Sequence, residues 1–468
     1  QMILQRCDFF SNFASTNNKT MTLPDAFAQY TRRLMGDELY SKLTAALAQE
    51  PPTSIRLNKA KCLTAAYGAT TVDWCPDGLY LTDRPAFTFD PLLHAGWYYV
   101  QEASSMFLHR VISQYVCSPS LMLDLCAAPG GKSTCALGAL PEGSALFCNE
   151  PVPLRTQILA ENIQKWGCPE VVVTGSTPED YARSGLMFDA ILCDVPCSGE
   201  GMFRKDEGAI NEWSPQNVDR CATLQRQIVE SAWQCLRPGG LLIYSTCTFN
   251  AKENEENIAW ICRELGAELL PVDIDEAWGI SGSLSAEVQG PVYRFIPGLT
   301  RGEGLFMAAL RKGGNDDSCL MAPRRKQRRD SKKTGNKQVE EWLKEPEAFD
   351  ITQTQDRIIA TPKRLTPFYE LAARKLRVVH AGITMGTAKG RDIIPDQSLA
   401  VSTELRREAF GSVELDYAQA VSYLRREPLS MPEGTPRGFI LTTYTGAALG
   451  FVKNIGSRAN NLYPQEWR

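Results

Sequence analysis

Between residues 119 and 312, short apolar runs alternate with stretches of helical periodicity, and this alternation restricts the fold more than any other feature. The runs are Leu121-Met-Leu-Asp-Leu-Cys126, Ser144-Ala-Leu-Phe-Cys-Asn149, Val171-Val-Val-Thr174, Phe188-Asp-Ala-Ile-Leu-Cys193 and Gly240-Leu-Leu-Ile-Tyr-Ser245. Each has the length and aliphatic content of a buried strand. A helix expected to stop at Arg237-Pro-Gly-Gly240 precedes the last. Strands joined through helices run parallel, with helices covering both faces. A doubly wound, Rossmann-like α/β sheet is therefore expected over 119–312, with any ligand at the carboxyl ends of its strands.

With 468 residues the chain exceeds what one hydrophobic core serves. Residues 1–21 read as a flexible N-terminal extension, with Met21 a candidate natural start. Residues 22–118 read as an N-terminal α+β region. It holds a helix opening at Leu23-Pro24-Asp25 and running to about Gln49, a strand Ser54-Ile-Arg-Leu-Asn58, and a helix over Gln101–Leu108. Residues 313–338, which include Arg324, Arg325, Lys326, Arg328, Arg329, Lys332 and Lys333, read as a basic linker. Such a run is either a solvated connector or a tether that contacts phosphates. Residues 339–468 carry helical runs near 403–426 and strand-like Gly438–Tyr444 and Ala448–Val452, the pattern of a small α+β or β-barrel module.

Composition narrows the chemistry. A formal net charge of −4 excludes a uniformly basic coat but permits a local basic face. The 15 cysteines contain no Cys-x-x-Cys pair, and the histidines are only His94, His109 and His380. A zinc site is not expected, and no other metal is implied. Reduced thiols in a cytoplasmic protein are the simpler reading of a long chain that builds its own core. Residues Gln1–Phe10 lack the apolar core and cleavage site of a signal peptide, and no apolar run has membrane length. A monomer without a membrane partner is expected.

Leu123-Asp-Leu-Cys-Ala-Ala-Pro-Gly-Gly-Lys132 places Gly130 and Gly131 between the first strand and a helix. Glycines there let backbone approach a ligand, and the helix start offers free N–H groups. Glu150 stands just after the second strand, where an acid can accept both hydroxyls of a ribose. That pattern alone suits a dinucleotide equally well. However, Gly-x-Gly-x-x-Gly is missing and Pro129 is awkward for it, which argues against a nicotinamide-dependent dehydrogenase.

Asp194-Val-Pro-Cys-Ser-Gly-Glu-Gly201 follows the fourth strand, and Ser245-Thr-Cys-Thr248 ends the fifth. Both loops leave the same edge of the sheet, so Cys197 and Cys247 are expected to be neighbours. Cys135, Cys235 and Cys262 lie on apolar helical faces and read as small buried hydrophobes, and Cys126 and Cys193, inside or at the edge of strands, read as packing rather than chemistry. Two thiols beside a methyl donor have a specific use. Carbon 5 of cytosine is a weak nucleophile until a thiolate adds to carbon 6 and makes it enamine-like. The adduct must then lose its extra hydrogen before the thiol can leave, and a group at ring nitrogen 3 eases the first attack. Asp194 stands at a strand end suited to that task, or to capping or cofactor binding. Spacing does not say which thiol attacks.

Together these strings resemble the Sun/Nop family of RNA cytosine-5 methyltransferases. Ser54-Ile-Arg-Leu-Asn58 and Tyr99-Val-Gln-Glu-Ala-Ser-Ser105 are similar to that family's N-terminal elements, and the likeness runs from about residue 22 to 312. Gly450-Phe-Val-Lys-Asn-Ile-Gly456 and Asn460-Asn-Leu-Tyr-Pro464 resemble the PUA-like RNA-binding ending of its bacterial RsmF type, which acts on small-subunit ribosomal RNA. The resemblance implies an S-adenosylmethionine-dependent core, an N-terminal RNA-binding region and a C-terminal PUA-like domain. It makes Cys247 the nucleophile and Cys197 the thiol that assists release. It also places Cys126, Ala127, Ala128, Pro129, Gly130, Gly131, Lys132, Glu150 and Asp194 along the S-adenosylmethionine site. Where the family has an acid facing the adenine amino group, this chain has Thr177, with Asp180 the other candidate.

A base stacked in a helix hides the ring face that a thiol must reach, so the cytosine has to be flipped from single-stranded or loop RNA. Arg56, Arg204 and Lys205 are candidate phosphate clamps, while Phe203 and Trp213 are expected to pack rather than stack on bases. Ribosomal RNA is favoured over transfer RNA only by the resemblance. A ribosome-assembly protein that binds RNA without catalysis is the alternative from another class.

Overall fold

The computed structural model describes residues 22–62, 69–314, 332–333, 337–390, 392–456 and 458–467. The expected N-terminal extension and most of the basic linker lie outside the described residues. Among these, no helix is long and apolar enough to cross a membrane. Nor do any His, Cys, Asp and Glu side chains form a set of three able to hold a metal ion.

The N-terminal region opens with a helix over Asp25–Leu47, broken at Gly36, whose φ of 76° only glycine adopts freely. Its Phe27 packs edge-on against Phe203 and Trp213 at 5.0 and 5.7 Å. Both of those aromatics are therefore core, as expected. A four-stranded antiparallel sheet follows, in the order Ala69–Val72, Cys75–Leu81, Ser54–Leu57, Tyr98–Val100. The helix expected over Gln101–Leu108 begins later: a 3-10 turn at Ser104–Met106 leads into an α-helix over Phe107–Tyr115. Glu102 accounts for the delay, since its carboxylate accepts from the backbone of Ser104 and Ser105 and forms a turn of its own.

The central sheet contains, in chain order, β1 (Leu121–Asp124), α1 (Gly131–Ala139), β2 (Ala145–Asn149), α2 (Pro153–Trp166), β3 (Val171–Thr174), α3 (Pro178–Ser184), β4 (Phe188–Asp194), α4 (Pro215–Cys235), β5 (Leu236–Thr246), α5 (Glu255–Leu265), β6 (Glu268–Leu270), β7 (Leu305–Arg311) and β8 (Val378–Ala381). Its order is β6-β7-β5-β4-β1-β2-β3-β8, with Tyr293–Phe295 pairing onto β7. Strands β1 to β5 are parallel, whereas β7 runs antiparallel to β5. The chain winds outward from β1 in one direction and from β4 in the other, so a crevice opens between them at the carboxyl edge. Phe147, Leu123 and Ile191 are fully buried on one face, and Met122, Leu146 and Leu192 on the other. Burial on both faces explains why these strands read as continuous apolar runs.

Two sequence expectations are corrected. The helix expected to stop at Arg237–Gly240 already ends at Cys235, and β5 starts at Leu236. Arg237 is held there by Asp189 of β4 at 2.7 Å, a long-range tether that periodicity does not register. Of the helical runs expected near 403–426, only Tyr417–Leu424 is an α-helix, capped by Asp416. Gly411–Glu414 is instead a strand, paired in parallel with Gly438–Tyr444.

The C-terminal block forms a four-stranded sheet and, with Lys332–Lys333 of the expected linker, a five-stranded one. The four-stranded sheet contains the expected strands, here Gly438–Tyr444 and Ala447–Asn454. One strand of this block leaves it: β8 pairs antiparallel with β3 and becomes the outer strand of the central sheet.

Candidate active site

The turn after β1 carries the glycine pair. Gly130 has a φ of 112°, and helix α1 begins at Gly131, where a Cβ would lie 3.3 Å from Tyr99 Cε1. The turn is held from outside. Arg155 donates to Ala128 O at 3.1 Å, and Asn162 to Pro129 O at 2.8 Å. Arg56 donates to Thr134 Oγ1 at 2.6 Å, to Gln101 Oε1 at 2.7 Å and to Gly131 O at 3.5 Å, with Trp166 under its guanidinium. Fully buried, Arg56 braces this turn and faces no solvent, so the structure does not place it as an RNA clamp.

Asp124, at the end of β1, is fully buried and accepts from Ser133 Oγ at 2.6 Å. Its other oxygen finds no partner of good geometry among the described residues. Burial pushes its carboxyl up to about 7, helped by the charge of Asp194 and opposed by Ser133 and Lys132. An orphaned acidic oxygen at the head of a glycine turn suits the ammonium of an amino-acid group. Glu150 follows β2, with one oxygen on Val152 N at 3.0 Å and the other 3.2 Å from Arg155. Burial raises its pKa, and those two contacts moderate the rise. Cys126 and Ala127 line the same turn; burial pushes the Cys126 thiol far up, so it keeps its proton.

Asn149 joins the strand-end loops. It donates to Leu125 O and Ser176 O at 3.1 and 2.9 Å and accepts from Thr174 Oγ1 and Ser176 N. Thr177 and Asp180 form a reciprocal capping box at the start of α3, each side chain accepting from the other's backbone. Both candidates for the missing acid are thus committed to the helix start.

On the thiol side, Cys197 Sγ and Cys247 Sγ lie 3.1 Å apart, partly buried. Lys132 Nζ contacts Asp194 Oδ2 at 2.9 Å, and Ser245 Oγ donates to Asp194 Oδ1 at 2.7 Å. The hydrogen bond to Cys247, burial and the charge of Glu253 all push the Cys197 thiol up. Burial lowers Lys132, but the charges of Asp194, Cys247 and Asp124 outweigh it and raise the pKa. The Lys132 ammonium thus lies near Cys247, and the Glu253 carboxylate near Cys197.

Two acids fix the loops that carry the thiols. Glu200, fully buried, accepts from Thr248 Oγ1, Phe249 N and Asn250 N at 2.6, 2.7 and 2.9 Å through one oxygen. Its other oxygen accepts from Trp213 Nε1 and Asn250 Nδ2 at 2.9 and 3.1 Å. Glu253 accepts from Ser198 N, Gln225 Nε2 and Asn250 Nδ2 at 3.0, 2.7 and 2.8 Å. Gly201 N donates to Cys247 O at 2.7 Å. Sequence reasoning missed Glu200, Glu253, Asn149 and Arg155; Glu200 lay inside the quoted thiol string, but the others carry no local signal. Arg204 is also internal, bound to Glu303 Oε2, Ala46 O and Gly302 O. Lys205, partly exposed, pairs with Glu303 at 3.1 Å.

Five parallel strands with an antiparallel strand next to β5, a glycine turn after β1 and an acid after β2 define a Rossmann-like methyltransferase core. Three family descriptions match the chain: "16S rRNA methyltransferase RsmB/F" over residues 118–311, "N-terminal domain of 16S rRNA methyltransferase RsmF" over 23–103 and "Methyltransferase RsmF PUA domain" over 410–468. Ribosomal RNA small subunit methyltransferase F of Cronobacter sakazakii is 30% identical over 474 residues, 96% of each chain. That of an Escherichia coli O139:H28 strain is 32% identical over 480 residues, 96% of this chain and 97% of its own. A methyltransferase homolog from Pyrococcus horikoshii superposes with a TM-score of 0.54 at 25% identity, covering 61% of this chain and 94% of that one. Pyrococcus horikoshii NSun6, solved with SFG, shares the fold at a TM-score of 0.52 and 21% identity, covering 62% and 99%. The chain belongs to the RsmF family, within the Sun/Nop methyltransferases.

Proposed function

We propose that this chain transfers the methyl group of S-adenosylmethionine to carbon 5 of a cytosine in 16S ribosomal RNA, through a covalent bond from Cys247 to carbon 6. The observation that carries the proposal is the contact between Cys197 and Cys247 at the carboxyl edge of β4 and β5, beside the Lys132–Asp194 pair. Ribosomal RNA as substrate is supported by family membership and by the relatives' descriptions.

When bound, S-adenosylmethionine supplies an electrophilic methyl group. Asp124 Oδ1 and the turn from Cys126 to Lys132 would hold its amino-acid end, and Glu150 its ribose. That NSun6 was solved with SFG, an analogue of the cofactor, supports S-adenosylmethionine as the methyl donor. Thr177 stays at the adenine loop as a helix cap. Cys247, next to Lys132, adds to carbon 6 and makes carbon 5 nucleophilic. Each Asp194 oxygen keeps a free lone pair and suits the cytosine amino group, while the Lys132 ammonium is the donor near nitrogen 3. Water takes the proton from methylated carbon 5, the freed pair restores the 5,6 double bond, and the carbon–sulfur pair leaves on Cys247 as a thiolate. The Cys197 S–H donates a hydrogen bond to that departing sulfur.

Single-turnover assays with 16S rRNA test this directly. Cys247→Ala is expected to abolish methyl transfer, and Cys197→Ala to accumulate a protein–RNA adduct that survives denaturing electrophoresis. Full activity of Cys247→Ala would overturn the proposal, whereas bisulfite sequencing of the product identifies the modified base.

A further inference from the structure

A cavity of about 330 Å³ lies away from the thiols, where the N-terminal region, the end of α2 and the C-terminal block meet. The last turn of α2 reaches both sites: Asn162 bonds Pro129 O of the glycine turn at 2.8 Å, and Lys165 O accepts from Lys61 of the cavity at 2.6 Å. Its charged lining is Lys61, Lys344, Arg407 and Glu408, among small residues such as Ala95, Ala400 and Thr403. None of the three cations makes an ion pair among the described residues.

Lys61 Nζ donates to Ala95 O at 2.9 Å and Lys165 O at 2.6 Å, which leaves one N–H uncommitted. Arg407 spends one nitrogen on Gly446 O at 2.8 Å and has other donors left. Burial, then the charge of Arg407, pushes the Lys61 ammonium down to about 7. That is the mark of a cation without a counter-charge. Three cations on three separate stretches of chain, converging on one cavity with a single acid, form an arrangement that an anion completes.

We propose that this cavity is an anion site that takes a phosphate group, supplied by the backbone of the bound RNA. The anion site stands independently of the methyl-transfer reading; only its RNA source rests on it. Phosphate is the group that fits, because its oxygens can meet Lys61, Lys344 and Arg407 together and offset their mutual repulsion. An RNA strand reaching it would bridge the N-terminal region and the C-terminal block, both of which line the cavity.

The test uses the full chain and two probes, inorganic phosphate and a 16S rRNA transcript. Arg407→Gln and Lys344→Gln alter exposed side chains and spare the core; Lys61→Met is the third variant. Calorimetric titration should show phosphate binding to the unaltered protein, weakened about tenfold in each variant, the effect of one charge-assisted hydrogen bond. The slope of log affinity for the transcript against log salt should fall by about 0.7–0.9 in the variants, the value of one lost phosphate contact. Weakened phosphate binding with an unchanged RNA slope would keep the site and assign it to a free phosphate compound. Absence of phosphate binding with an unchanged slope overturns the proposal.

Discussion

Glu200→Gln alters a single atom, yet the structure assigns it a large effect. All five groups around Glu200 are donors: the Thr248 hydroxyl and the Phe249 and Asn250 backbone N–H groups at one oxygen, Trp213 and the Asn250 side chain at the other. An amide offers one acceptor and two donors, so its NH2 group must face N–H groups in either orientation. With the amide oxygen at the three-donor position, the bonds to Trp213 and the Asn250 side chain are lost. Hydrogen bonds to a charged group contribute about 1.5–3 kcal/mol each, so the loss is about 3–6 kcal/mol before the weakening of the remaining three. Urea denaturation followed by tryptophan fluorescence measures it. Because these bonds join the loop of Cys197 to that of Cys247, single-turnover methyl transfer should slow, while the affinity for S-adenosylhomocysteine should not change. A stability loss below about 0.5 kcal/mol together with unchanged turnover would refute the reasoning, since surface substitutions do as little.

The raised carboxyl of Asp124 gives a pH dependence with a definite sign. A folded value of about 7 against an ordinary 3.8 means the cofactor-free fold loses stability between those pH values and levels off above them. A ligand ammonium favours the ionised form, so S-adenosylhomocysteine should bind more tightly as pH rises through about 7; calorimetry on Asp124→Asn should find this dependence gone. Gly201→Ala would place a Cβ 2.6 Å from Cys247 O and 3.0 Å from Gly304 O. Overpacking of this kind costs about 1–3 kcal/mol, and denaturation combined with adduct formation in the Cys197→Ala background should reveal both the instability and the slower attack.

The parallel core was legible because strands buried on both faces read as uninterrupted apolar runs, as at Val171–Thr174. The thiol pair was legible for a related reason. In a doubly wound sheet, strand ends that are distant in sequence share one edge, so the order of elements carries spatial information. What escaped is whatever depends on a partner far along the chain. Arg56 and Arg204 have the charge of phosphate clamps, but their carbonyl and carboxylate acceptors, on Gly131, Ala46, Gly302 and Glu303, turn them inward. Asn149 carries no local mark of its role, because its partners come from two other strand ends. The run near 403–426 misled for the opposite reason: a helical spacing of apolar residues persisted across Gly411–Glu414, where pairing with Gly438–Tyr444 decides the conformation.

Strand β8 is woven into the catalytic sheet, and its neighbour Arg377 is bonded through N to Ser176 Oγ and through O to Gly175 N, at 2.9 and 2.8 Å. A domain on a tether could sweep through many angles; one stitched into a sheet edge cannot. The C-terminal block and the thiols therefore behave as two marks on a rigid ruler, and an RNA gripped at one mark presents to the other only the nucleotide at the matching span. Cutting the chain ahead of β8 would do more than shorten that ruler: it would bare the backbone of β3 along an unprotected margin, inviting another molecule to pair there.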